Sequence, residues 1–421
     1  MSFQQALSGL NVASKNLDVI GNNVANSSTV GFKSGEAQFA DVFAASLAGA
    51  GASPIGLGAK LAGVAQQFTQ GNITATNNPL DMAINGSGFF IVSPAGTTTP
   101  YYSRNGQFSL DKDSYIVNSE GYRVQGYQVD SSGVVQPGTA GDLLVSKATI
   151  AAVATGASST ATGVLANVNL NAGDPSIASA FNYQDPTTYN HSTALSLFDS
   201  QGNAHTYTMY FQKAAANSWK VYATVSNPAG ASTPLTNLGQ VDTLAFSTTG
   251  ALVPPAIAAA TVTSAQLGYG GTVNNLGFNL NFSGSTQYGS AFAVNSLSQD
   301  GYSSGQLAGF TVNSDGIIKG AYTNGQTKNL GQFALANFAN PQGLQAQGNN
   351  MWAASSSSGV ALNNQPGTGG NGVIQSSATE DSNVDLTGEL VNMITAQRVY
   401  QANAQTIKTE DAIMQTLVNL R

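Results

Sequence analysis

Apolar residues recur every seven positions at both ends of this 421-residue chain, and that repeat restricts its folding more than any other feature. Near the start, Phe3, Leu10, Leu17 and Val24 stand seven apart, with Ala6, Ala13 and Ile20 interleaved. Near the finish, Leu386, Met393, Tyr400, Ile407 and Met414 repeat the interval, broadened by Leu390, Ile394, Ala404, Leu417 and Val418. A seven-residue repeat with three-four interleaving draws one stripe down a helix. Acids between Asp381 and Glu389 mark the start of the second helix, where its dipole favours them. Neither helix can bury its stripe alone. Packing as two surface helices on a globular core is one outcome; pairing of the two ends, within or between chains, is the reading adopted. Isolated helices of this length are marginal in water because packing supplies most of their stability. The ends are therefore expected to be disordered in the free subunit and helical once paired in a polymer.

Between the ends the period changes to two. Leu80, Met82 and Ile84 alternate before a turn into Phe89–Val92, and Tyr122/Val124 and Tyr127/Val129 form short pairs. His205, Tyr207, Met209 and Phe211 line one face of a strand that follows the turn 199–203, and Trp219, Val221, Ala223 and Val225 suit its partner. Ser314-Asp-Gly316 and Asn324-Gly325 are hairpin turns. Charge marks the boundaries. No Lys or Arg occurs from Ala148 to Gln212, and no charge at all from Thr243 to Gln299 or from Asn329 to Thr379. The fold expected is mixed but mainly β, with nested β-rich domains between amphipathic terminal helices that pair like a coiled coil in an assembled polymer. Its expected divisions are a helical domain of 1–30 and 381–421, extended connections at 31–71 and 356–380, an inner β domain of 72–150 and 299–355, and an inserted outer β domain of 151–298.

Chemistry is scarce. Only 8% of residues are charged, against roughly 25% in ordinary globular proteins, and the net charge is −7. No cationic cluster exists to displace counterions from phosphate, which excludes nucleic acid as a main partner. No apolar run approaches the roughly 20 residues of a membrane span, so no membrane insertion is expected. The opening MSFQQALSGL has neither the basic region nor the apolar core of a cleavable secretory signal. The absence of Cys removes disulfides and thiolate sites. His191 and His205 are the two histidines, and His205 on an alternating strand suits packing better than metal. Asp111-Lys-Asp113 lacks the later Gly and Glu of a calcium loop and reads as a polar turn. Gly301-Tyr-Ser303-Ser-Gly305 spells a nucleophile elbow, but no His follows it. Gly268-Tyr-Gly270-Gly271 lacks the helix and acid of a dinucleotide site. No catalytic, metal or cofactor site is expected, and the chain is not read as an enzyme.

The striped ends also carry longer motifs. Ser8–Asn11, Asn16-Leu17-Asp18-Val-Ile20-Gly21-Asn22-Asn23-Val24-Ala-Asn26 and Thr29-Val-Gly31-Phe32-Lys33-Ser34 are followed at the far end by Ser382-Asn383-Val384-Asp385-Leu386, Glu389–Ile394 and Gln397–Ile407. Together they resemble the bacterial flagellar rod and hook (axial) protein family, over roughly 1–40 and 380–421. Ser103–Asp111 and Leu335–Pro341 extend the resemblance inward. The size of the insertion resembles the hook members more than the shorter distal rod proteins; a distal rod or hook–filament junction protein is the alternative. The resemblance implies a subunit exported through the flagellar export apparatus and polymerised under a hook cap into a curved tube. That tube would act as a universal joint passing torque to the filament, its channel carrying later subunits. It further implies the distal rod, the hook–filament junction proteins and hook-length control as partners, and a location outside the cell in the flagellum. The assembly interface expected comprises Phe3, Leu10, Leu17, Ile20, Val24, Leu386, Leu390, Met393, Tyr400, Ile407, Met414 and Leu417. The charge-free run 243–299 would suit contacts that slide as such a tube bends, because fixed ion pairs would resist the motion.

Overall fold

The computed structural model describes residues 2–42, 56, 58–97, 99–130, 132–157, 163–227, 235–255, 257–269 and 271–419, with the side chains of residues 2 and 417–419 left out. The protein is mainly β-structured, with one long helix at each end of the chain: α1 (Ser2–Ala25) and α2 (Leu386–Asn419). Two compact units divide it. The first holds Met1–Lys147, Gly309–Ala321 and Thr327–Arg421; the second, interrupting it, holds Ala148–Ala308 and Tyr322–Gln326.

In the first unit α1 runs without Pro and unwinds at Ala25, where the Asn26 amide still donates to the Asn22 carbonyl. The Asp385 side chain starts α2 by accepting the Thr387 amide at 3.0 Å, with Glu389 in the first turn. The 31–71 stretch carries an antiparallel hairpin of β1 (Gly35–Val42) and β2 (Gly58–Gln66), kinked by a bulge after Gln38. Two short pairs follow, Ile73–Ala75 with Ala378–Glu380 and Met82–Asn85 with Val373–Ser376. The alternation read around Met82 is absent, because Met82, Ala83 and Ile84 are all fully buried.

A larger sheet runs through Thr327–Phe333, Arg123–Tyr127, Phe89–Ser93, Tyr101–Ser103, Met351–Ala353 and Gln345–Gly348. Its core is aromatic, with Phe89, Tyr102, Phe338 and Trp352 meeting mostly edge to face. Asp111 forms the polar turn expected, its Oδ1 accepting the Asp113 and Tyr115 amides at 2.8 Å each. The Ser314–Gly316 turn closes through Asn313 and Ile317, with Gly316 at φ +78°.

The second unit stacks two four-stranded sheets. One is ordered Ile257–Val262, Leu276–Asn281, Val164–Asn169, Ala293–Gln299, and the other is the meander His191–Phe198, Ala204–Ala215, Ser218–Ser226, Leu235–Ala245. Tyr207 pairs with Val225, Met209 with Ala223 and Phe211 with Val221, as the alternation requires. These side chains and Trp219, Phe278, Leu280 and Phe282 are buried between the sheets, each large one contributing roughly 1.5–3 kcal/mol. His205 lies in this packing with its Nδ1 2.9 Å from the Ser226 carbonyl oxygen. His191 stacks on Phe292, ring centroids 4.4 Å apart.

Candidate assembly interface

The two helices pack antiparallel within one chain: Gly9 lies against Asn403, and the Asn23 Nδ2 donates to Glu389 Oε1 at 3.1 Å. The sequence reading assigned helical order at the ends to the polymer; here both ends are helical and paired within one chain. The seam is made of small and amide side chains. Ala6, Ala13, Ile20 and Asn23 are buried on α1, and Ala396 on α2. Gly9 has no room for more, since an added Cβ would sit 2.8 Å from the Asn403 Oδ1. An open groove of about 370 Å³ runs along the seam past Asn16, Asn392 and Thr395.

A second side of α1 meets the β1–β2 hairpin. Gln5 donates to the Gly56 carbonyl at 2.6 Å, and Gly35 lies between Val19 and Val64. The large residues of the expected interface are unevenly covered. Ile20 is buried, Leu10, Leu17 and Val24 are half-buried, and Phe3 is 48% exposed. On α2, Met393 and Ile407 are half-buried, whereas Leu386, Leu390, Ile394 and Tyr400 are exposed and Met414 is 61% exposed. The Leu417 side chain lies outside the described residues.

The motif residues gather at the roots of the helices. Asn23 clamps Gly35 from both sides, donating to its carbonyl at 2.8 Å and accepting its amide at 2.9 Å. Asn26 donates to the Asn22 Oδ1 at 2.6 Å. Gly31 turns at φ +72° beside the Asn105 amide, where a Cβ would approach to 2.6 Å. Phe32 lines a second open pocket with Trp352. Asn383 accepts the Ser34 amide at 2.8 Å and donates to the Gln67 carbonyl at 2.7 Å, while Val384 beside it is half-buried. Asp18 forms an exposed pair with Lys15, and Gly21 faces open space.

Lys33 is fully buried, 2.6 Å from Glu380, whose other oxygen is 3.3 Å from Arg104. Burial pulls the Lys33 ammonium below the usual lysine range, with Glu380 opposing, and lowers Arg104 for the same reason. Sequence reasoning singled out neither Glu380 nor Arg104 for this role. The one signal for Glu380 is that it ends the charge-free run 329–379. Among the described residues no group of three or more His, Cys, Asp or Glu could hold a metal ion, and no described helix is long and apolar enough to cross a membrane.

A β-rich chain framed by two paired terminal helices, with apolar stripes left uncovered on both, defines a structural protein of the axial type. Four family models cover it in order: Flagella basal body rod protein at 3–33, Flagellar hook protein FlgE/F/G D1 domain at 83–166, Flagellar basal body protein FlaE D2 domain at 167–302, and Flagellar basal body rod FlgEFG protein C-terminal at 375–420. The flagellar hook protein FlgE of Escherichia coli K12 is 44% identical over 425 residues, covering 100% of both chains. That of Borreliella burgdorferi is 31% identical, covering 100% of this chain and 99% of its own. A crystal structure of the Helicobacter pylori hook protein FlgE2 matches 72% of this chain and 99% of its own with a TM-score of 0.51 at 14% identity, which shows a shared fold. The chain belongs to the flagellar hook protein FlgE family and is a structural component of the bacterial flagellar hook.

Proposed function

We propose that this chain polymerises with itself into a curved, flexible tube that serves as a universal joint between motor and filament. The observation that carries the proposal is the apolar exposure left on the helix pair: Phe3, Leu390, Ile394 and Met414 stay exposed after α1 and α2 have packed on each other. Side chains of that size stabilise contact with further copies by roughly 1.5–3 kcal/mol each when covered. In this reading the helices line a channel for exported subunits, and the β-structured units form the outer layers. The divisions this reading assumes are a helical domain of 1–30 and 381–421, connections at 31–71 and 356–380, an inner β domain of 72–150 and 299–355, and an inserted β domain of 151–298. Partners at the ends of the tube are a hook cap, the distal rod and the hook–filament junction proteins, with length control and the flagellar export apparatus acting during growth. The subunit works outside the cell and performs no catalysis.

Electron microscopy of the purified chain under assembly conditions tests the reading. Short curved tubes are expected. Smooth straight rods would favour a distal rod role, and failure to polymerise at any concentration would contradict both.

A further inference from the structure

The helix roots are joined by a charged knot that hook assembly alone does not call for. Lys33 follows the last residue of α1, Ala25, by eight positions, and Glu380 precedes the first residue of α2, Leu386, by six. Their pair closes across 347 residues of chain at 2.6 Å, with both side chains fully buried. Every donor near the carboxylate comes from a different segment. Lys33 also donates to the Thr69 carbonyl at 2.8 Å, the Gly71 amide donates to Glu380 Oε1 at 2.9 Å, and the Arg104 guanidinium lies 3.3 Å from Oε2. The Glu380 backbone repeats the tie, its carbonyl accepting the Gly31 amide at 2.7 Å. The same residue pairs with Ile73 in the short sheet just before α2.

Two cations and one carboxylate leave this enclosed site with an excess positive charge. Arg104 Nε has no hydrogen-bond partner among the described residues, and the guanidinium rests over the Phe89 ring, 5.3 Å from its centroid. A knot built for stability alone would not be left so. Buried ion pairs contribute little net stability compared with apolar packing, yet removing one member is costly because the other is stranded in a low-dielectric site. Such a knot is either complete or absent, and that makes it suited to fixing one arrangement.

We propose that Lys33, Glu380 and Arg104 form a latch that makes docking of the two terminal helices all-or-none. When Glu380 reaches Lys33, the C-terminal root is set on the N-terminal root, and the Asn23–Glu389 contact and the antiparallel register of α1 on α2 follow from that placement. Until Glu380 is in place, the latch lacks its carboxylate, and α1 has its hairpin contact but no helix partner. The proposal concerns docking inside one chain and stands whether or not the hook reading does.

Hydrogen–deuterium exchange on the full-length soluble chain tests it with Glu380→Gln, Lys33→Met and Asp142→Asn. The last variant breaks the Arg123–Asp142 pair, 3.0 Å long and part-exposed in the same unit, without touching the roots. Glu380→Gln should speed exchange about tenfold or more in α1 and in the first turns of α2 together. The second unit's meander, 191–245, should stay unchanged and Asp142→Asn should match the unaltered chain. Lys33→Met, which leaves the Glu380–Arg104 contact in place, should give the same regional pattern at smaller amplitude and keeps the test open if Glu380→Gln does not fold. Loosening of α1 alone in Lys33→Met, protection of both helices within about twofold of the unaltered chain, or a loss spread equally into 191–245 would overturn the latch.

Discussion

The core of the second unit and the seam of the helix pair solve the burial problem in opposite ways. Between the two sheets of the second unit, large side chains such as Tyr207, Phe211, Trp219 and Phe282 are buried completely, and the Trp219 indole N–H donates to the Gln287 Oε1 at 2.9 Å. In the helix seam the buried residues are Ala6, Ala13, Ile20 and Ala396, with amides from Asn16 and Asn23 beside them, while Phe3, Leu390 and Met414 remain exposed. Cores of the first kind are complete within one chain. Small residues in a seam allow close approach but remove little apolar area, so a pair of the second kind reaches full burial only by acquiring neighbours.

The contrast breaks most severely at α1. Leu17→Asp places a charge at a half-buried position of α1. It is expected to abolish polymerisation while leaving the melting temperature of the second unit unchanged, as read by sedimentation and calorimetry on the same sample. Persistence of tubes would mean that α1 does not take part in contacts between copies. Next in size, Trp219→Ala should destabilise the second unit by about 3–5 kcal/mol and leave α1 and α2 protected from exchange. A parallel loss in the helices would show that the two regions are not independent.

Gly9→Ala sharpens the comparison at the seam. The new Cβ would meet the Asn403 side chain at 2.8 Å, and a flexible amide can move, so a cost of about 1–2 kcal/mol is expected in helix docking, seen as a raised critical concentration for assembly. An unchanged value would place Asn403 away from the seam in the assembled state.

The smallest effect concerns Asp242. Burial raises its carboxyl above the usual aspartate range, and one of its oxygens is enclosed without a partner. A carboxyl raised in the folded state contributes stability below its unfolded value, and that stability is lost as pH rises through the folded one. Asp242→Asn should therefore stabilise the second unit slightly at neutral pH, with the advantage disappearing on acidification below the ordinary aspartate range. A melting-temperature difference that does not change between those two conditions would contradict this sign.

The two regions were also unequally legible. The pairing of Tyr207, Met209 and Phe211 with Val225, Ala223 and Val221 could be read from alternation, because one buried face imposes period two. The heptads located both helices. They did not reveal that Ala6, Ala13 and Ile20 would be buried while Leu10 and Leu17 stayed half-buried, since periodicity gives a helix its stripes without saying which neighbour claims each. Asn23 and Asn383 stood in recognisable motifs, but their hydrogen bonds to Gly35 and Gln67 depend on turns that no pattern records. The Glu380 knot was hidden because its members lie far apart in the chain.

The absence of cysteine makes the central claim directly measurable by thiol labelling of single-cysteine variants in free subunits and in polymer. Leu390→Cys, on the uncovered side of α2, and Ala396→Cys, under the seam, are the two probes. Leu390→Cys should react quickly in the free subunit and slowly in the polymer, whereas Ala396→Cys should react slowly in both. Equal reactivity of Leu390→Cys in the two states would contradict the claim that further copies of the chain cover the helix pair.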